Sequence, residues 1–317
     1  MNNNNRKLNE FKSLETDIND ALALIVNSNE SDVSTGYNKI LGLMENDSLF
    51  DKCARIVKEA NEMKKKPTIR ILSHFACTGG TLISKCIAAQ PNVYLISEAH
   101  PFSELHISPH KTRYSPTDIT TLSRYANVPD IDRLTSKIFK QNIDSLYSHL
   151  SELGGSLILR EHTHVDFCLG EKVTDKKSVS QLLENDYNIV NLVTVRDPID
   201  SYMSLKKNGW IHFEPPTFDE YCSRYLKFVS NLPKKNILKY EDFIFKPKIT
   251  MQKMCDILFI PYNENFEDYF DIFNLTGDSG RSGSEIKERS RVHITDDFRF
   301  EIENSISYQG LKDKLLY

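Results

Sequence analysis

The sequence predicts an α/β fold, a parallel central sheet flanked by helices, with an N-terminal helical extension ahead of it. Three observations carry this expectation. From Thr68 onwards, short apolar runs alternate with segments of helical spacing, and that alternation implies parallel βαβ units. One run, Ile189 to Val195, is nearly continuous in apolar residues, as in a strand buried on both faces. The first run opens into a Gly-Gly loop and then a helix, at the end of the strand where α/β sheets hold their ligands.

Each element follows in order. Residues 1–66 read as a polar helical extension, with apolar stripes at Ala21, Leu22, Leu24 and Ile25 and at Ile40, Leu41 and Leu43, closed by Pro67. Residues 67–317 form the α/β domain. Strands are expected at Thr68–Ser73, Val93–Ser97, Ser156–Arg160, Ile189–Val195 and Ile237–Tyr240. Helices are expected at Thr81–Ala89, around Ile131–Leu150, and at Ser178–Glu184, Ile199–Lys207 and Phe218–Leu232. Gly154-Gly155 ends the long helix.

Composition narrows the classes. The chain has 317 residues, 39% hydrophobic and 26% charged, an ordinary globular balance with length for one large core. Its formal net charge of −4 argues against a general polyanion binder, which would be basic, and leaves room for a local basic pocket. There is no apolar run of transmembrane length, and Met1 to Lys7 leads into polar sequence, so a cytoplasmic location is expected. The six cysteines lie in no CxxC or Cys/His zinc spacing and read as buried thiols.

Two strand ends carry chemistry. After the first comes Cys77-Thr78-Gly79-Gly80-Thr81-Leu82. Two glycines let backbone N–H groups approach an anion, the threonines add hydroxyls, and the following helix points its positive end there. No lysine follows Gly80, so this is not a GxxxxGK(S/T) loop; a plain tight turn has a similar composition. After the fourth strand comes Arg196-Asp197-Pro198, with Ser204 about two helical turns on. Asp197 suits the N-cap and Pro198 the first turn. The arginine and the serine hydroxyl could share one phosphate, or Arg196 and Asp197 could simply cap a helix.

These segments together resemble the sulfotransferases that use 3'-phosphoadenosine 5'-phosphosulfate (PAPS). The first resembles that family's 5'-phosphosulfate loop, with Cys77 in the place of a basic residue. The second resembles its 3'-phosphate motif, an arginine followed eight positions later by a serine. Tyr240-Glu241-Asp242 resembles the Tyr-Glu-Asp segment that puts Tyr240 near adenine. The loop around Arg281, Ser282 and Gly283 resembles the one that closes on the 3'-phosphate in bacterial members. Leu159-Arg160-Glu161-His162 resembles the segment bearing the catalytic histidine, which makes His162 a base; Glu98 is its rival, since some bacterial members use a glutamate there. The resemblance implies a P-loop-NTPase-like sulfotransferase fold, PAPS as donor and 3'-phosphoadenosine 5'-phosphate (PAP) as product. It further implies no metal and no nucleic acid, and a small-molecule or carbohydrate acceptor. Arg160, His74 and Lys85 are the cations that could stand in for the one missing at Cys77. Two alternatives stay open, a P-loop-type kinase or nucleotide phosphotransferase, and a catalytically impaired PAPS-binding protein. Trp210, His212 and Phe213 are expected around the acceptor.

Overall fold

The computed structural model describes residues 66–107, 110–230, 232, 236–277, 285–288, 293–315 and 317. The expected helical extension before Lys66 lies outside the described residues, as do Arg281, Ser282 and Gly283. The strands are β1 (Thr68–His74), β2 (Val93–Ala99), β3 (Ser156–Glu161), β4 (Leu169–Gly170), β5 (Asn188–Val195), β6 (His212–Phe213) and β7 (Ile237–Lys239). The helices before β5 are α1 (Gly80–Ala88), α2 (Ile119–Tyr125), α3 (Ile131–Glu152), α4 (Thr163–Phe167) and α5 (Val179–Leu183). Those after it are α6 (Pro198–Lys207), α7 (Phe218–Ser230), α8 (Tyr240–Phe245), α9 (Pro247–Leu258), α10 (Asp296–Asn304) and α11 (Ile306–Leu315).

The five strands expected from the sequence form one sheet in the order β2-β3-β1-β5-β7, parallel throughout. Side chains alternate across it with the period of two that a strand imposes. Ile69 and Ile71 of β1, with Leu157 and Leu159 of β3, meet α3 and α5 through Ile143, Leu150, Val179 and Leu183. Leu72 and Ile158 point the other way, onto Ile83 and Ile87 of α1 and Met251 and Met254 of α9. Helices therefore cover both faces, which explains why these strands read as apolar runs. Arg70 shares that second face but is not stranded among apolar side chains. Its guanidinium donates to the Leu258 and Phe259 carbonyls, a cation capping the last turn of α9.

A third cluster lies past the strand ends, where Val193, Val195 and Phe75 meet α6 and α7. Phe75 stacks on Tyr225 at 4.4 Å and 7°, which anchors the chain leaving β1. Tyr225 also donates to the Arg196 carbonyl and accepts from the Arg196 N–H, so one tyrosine fixes both strand ends. Beside this cluster, β4 and β6 pair around Arg224, which is fully buried. Arg224 donates to the carbonyls of Phe167, Leu169, Gly170 and Glu171 and forms an ion pair with Glu220. A buried guanidinium is tolerated when its donors are met in this way.

Candidate active site

The sheet order locates the site. The connection from β1 leads to β2 on one side, and that from β5 leads to β7 on the other. Between neighbouring β1 and β5 the connections diverge, and ligands bind in the crevice such a divergence leaves at the carboxyl ends. A cleft of about 250 Å³ opens there. Of the residues expected at the site, Cys77, Gly79, Gly80, Thr81, Leu82, Glu98, His162, Arg196, Ser204 and Tyr240 all line it.

The glycines are required by close approach. Gly79 caps α1 with φ +85°, a left-handed conformation that favours glycine. A Cβ there would lie 2.2 Å from the Tyr240 ring, and one on Gly80 would lie 2.2 Å from the His74 ring. No side chain caps α1, so its first N–H groups are presented without a side-chain acceptor. Gly79→Ala should cost more than the roughly 1–2 kcal/mol of a left-handed backbone, because Tyr240 must also move. Chemical denaturation measures this, and a loss below 1 kcal/mol would contradict the contact.

The loop departs from expectation at Thr78. Thr78 is fully buried and its hydroxyl donates to the Phe75 carbonyl at 2.7 Å; it holds the turn and is not on the cleft wall. Cys77 adopts φ 63°, and its thiol is turned toward Ser204 and Asn208 of the opposite wall. Burial raises its pKa, against the pull of those hydrogen bonds and of Arg196, so it stays a neutral thiol. His74 cannot supply the missing cation. Burial, then Arg160 and His162, hold its pKa well below the ordinary histidine value, and its Nε2 accepts from Arg160 Nε at 3.0 Å. Lys85 is not on the cleft wall.

At the β5 end, Asp197 accepts from the Ile199 and Asp200 N–H groups at 2.8 and 3.1 Å, a helix cap with Pro198 in the first turn of α6. This aims Arg196 across the crevice. Its Nη1 donates to the Cys77 carbonyl at 3.3 Å, and its guanidinium lies 5.0 Å from the Tyr240 ring centre. Tyr240 thus wedges between Arg196 and the Gly79 turn.

The remaining wall is a charged network. Arg160, at the end of β3, is 4% exposed. Besides His74, it donates to Ser97 Oγ at 2.9 Å, the Thr276 carbonyl at 3.3 Å and Thr81 Oγ1 at 3.5 Å. Its Nη2 also pairs with Glu98 Oε1 at 2.8 Å. Glu98 Oε2 lies 3.2 Å from His162 Nε2, and His162 Nδ1 lies 3.5 Å from Ser103 Oγ. Burial raises the Glu98 pKa while Arg160 lowers it. Burial, with His164, His100 and Arg160, takes His162 down to about 4. His162 is therefore a neutral ring, with its Nε2 within hydrogen-bond reach of the Glu98 carboxyl group. Glu98 has φ 58°, and the Thr276-Gly277 strap crosses it; a Cβ on Gly277 would fall 2.3 Å from Glu98 Oε1.

Leu105, Trp210, His164 and His212 complete the cleft, with His164 Nε2 3.1 Å from His212 Nδ1. Phe213, expected there too, is buried beneath Arg224. Sequence reasoning missed His164 as a wall residue and the extent of the Arg160 network, whereas Gly277 opens the Gly/Ser-rich loop expected near the donor. Among the described residues no group of three or more His, Cys, Asp and Glu is placed to hold a metal ion, and no helix is long and apolar enough to cross a membrane.

Fold and cleft define a parallel α/β protein able to hold an anionic group at the divergence of its sheet. No protein-family model matches the chain, and no curated protein matches it. Among solved structures it is similar to the sulfotransferase domain from the curacin biosynthetic pathway, at 15% identity, 79% of this chain, 98% of that chain and a TM-score of 0.48. It is also similar to the sulfotransferase from Alicyclobacillus acidocaldarius, at 14% identity, 79% and 94% coverage and a TM-score of 0.40. A third likeness is to the sulfotransferase domain of the Synechococcus PCC 7002 olefin synthase, at 15% identity, 80% and 97% coverage and 0.42.

Proposed function

We propose that this chain is a sulfotransferase that moves a sulfuryl group from PAPS to a hydroxyl or amine of a carbohydrate or small metabolite. The observation that carries the reading is the meeting of two phosphate motifs in one cleft. The Arg196 guanidinium reaches the Cys77 carbonyl across 119 positions of sequence, with Ser204 on the same wall. Arg196 and Ser204 would hold the 3'-phosphate by charge and hydroxyl donation, and the Gly79 to Thr81 backbone the 5'-phosphosulfate.

The residues present fit such a donor. Gly79 and Gly80 leave a cradle that a Cβ would fill. His74 lines the cleft, and with Nε2 accepting from Arg160, its buried Nδ1 carries the ring proton and has no hydrogen-bond partner among the described residues. When bound, PAPS supplies an activated sulfuryl group. Glu98 takes the acceptor proton and His162 holds the Glu98 carboxylate in line. Trp210, His164, His212 and Leu105 flank the acceptor.

The kinase reading requires a lysine after Gly80, and Thr81 stands there. Thermal shift separates the two: PAP should raise the melting temperature, and ATP with magnesium should not. Stabilisation by magnesium-ATP alone would reject the sulfotransferase reading. Transfer of labelled sulfate from PAPS to mixed acceptors then separates an enzyme from a protein that only binds the donor.

A further inference from the structure

The cation that a sulfuryl donor needs at its leaving phosphate is absent at Cys77, and the wall of the cleft shows where another could come from. A guanidinium has five N–H donors, and the partners of Arg160 include five acceptors around it. Three of these, His74, Ser97 and Thr276, fix it in place. The other two share one nitrogen: Nη2 faces Glu98 Oε1 at 2.8 Å and Thr81 Oγ1 at 3.5 Å. That nitrogen therefore stands between the carboxylate on the acceptor side and the phosphate loop. Thr81 donates its own proton to the Gly277 carbonyl at 3.2 Å, so both residues at the loop are engaged by neighbours that a phosphate could replace.

We propose that Arg160 is the catalytic cation of this site and that it works by changing partners. This rests on the donor reading above. As the donor's 5'-phosphate settles at Thr81, Nη2 turns from Glu98 to a phosphate oxygen, with which an arginine makes charge-assisted hydrogen bonds. Glu98 Oε1 is thereby freed, while Oε2 stays on His162. In the transfer step the acceptor oxygen forms its bond to sulfur as the bond from sulfur to the phosphate oxygen breaks. The acceptor proton goes to Glu98 Oε1. The electron pair of the broken bond stays on the phosphate oxygen, where Arg160 meets the new negative charge. One guanidinium so couples donor binding to release of the base, and the donor has to bind first.

The test is PAP affinity, read by calorimetry in the full chain. Glu98→Gln keeps the shape and an acceptor for Nη2 but removes the competing charge, so PAP should bind at least about tenfold more tightly. In a Glu98→Gln, Arg160→Met double variant that gain should vanish. If it persists at the same size relative to Arg160→Met alone, simple repulsion by Glu98 explains it and the exchange is wrong. Equal affinity of wild type and Glu98→Gln overturns the exchange while leaving the donor reading standing; PAP binding to neither overturns the donor reading itself. A crystal structure of the unmodified protein with PAP needs no variant to fold. Nη2 should lie within hydrogen-bond distance of a 5'-phosphate oxygen and no longer on Glu98; an intact Arg160–Glu98 pair beside bound PAP would overturn the proposal.

Discussion

Replacing Arg196 with alanine is expected to lower PAP affinity by about 30-fold or more with the fold retained. A charge-assisted contact in a partly buried cleft is worth about 2–5 kcal/mol when one partner is truncated, or about 30-fold to several thousandfold in affinity. Little of this should appear as lost stability. The guanidinium makes one side-chain hydrogen bond of 3.3 Å to the Cys77 carbonyl and a cation–π contact with Tyr240, whereas the strand end is held by backbone bonds to Tyr225. Calorimetry with PAP and a melting curve on the same sample separate the two effects. Unchanged PAP affinity would remove Arg196 from the donor site, and with it the reason to read Ser204 as a partner.

The second large effect is on turnover. Glu98→Gln should reduce kcat by about 10²–10⁴-fold, the usual contribution of a positioned base, without weakening PAP binding. His162→Ala should also keep PAP bound and lose turnover, by less, because His162 orients Glu98 through Oε2. The pH profile distinguishes them. Burial raises the Glu98 pKa above its ordinary value, with Arg160 opposing, and activity requires the ionised carboxylate. Activity should therefore fall as the pH drops through that raised pKa, and Glu98→Gln should abolish this acid limb. His162 is already neutral above about 4, so it adds no limb near the ordinary histidine pKa of roughly 6.5. The other titratable groups facing this pair are Arg160, His74, His100 and His164. A limb near pH 6.5 that survives Glu98→Gln and disappears in His162→Ala would make His162 the base.

Much of the scaffold was legible in the sequence because the sheet is covered on both faces. All five strands stood out as apolar runs, and their ends were correct to within two residues. Short β4 and β6 did not, since two-residue strands have no periodicity to read; they exist because buried Arg224 gathers the carbonyls around them. The helices after Tyr240 also went unread. At the cleft, single residues in the loops were visible, but their directions were not. Thr78 has the right chemistry for an anion and turns inward to the Phe75 carbonyl. Cys77 stood out as the place of a missing cation, but that its thiol turns toward Ser204 and Asn208 could not be read. The Arg160 network was least legible, because its partners come from β1, β2, the phosphate loop and the Thr276 strap, up to 116 positions away. Only the strand order β2-β3-β1 brings them to one side chain.

The central claim is that Arg196 and Ser204 read a 3'-phosphate while the Gly79 to Thr81 loop holds the 5' group. Calorimetric titration of the unmodified protein with PAP and with AMP, which lacks only the 3'-phosphate, tests it most directly. PAP should bind at least about a hundredfold more tightly than AMP, about 2.7 kcal/mol; equal affinities for the two would contradict the claim.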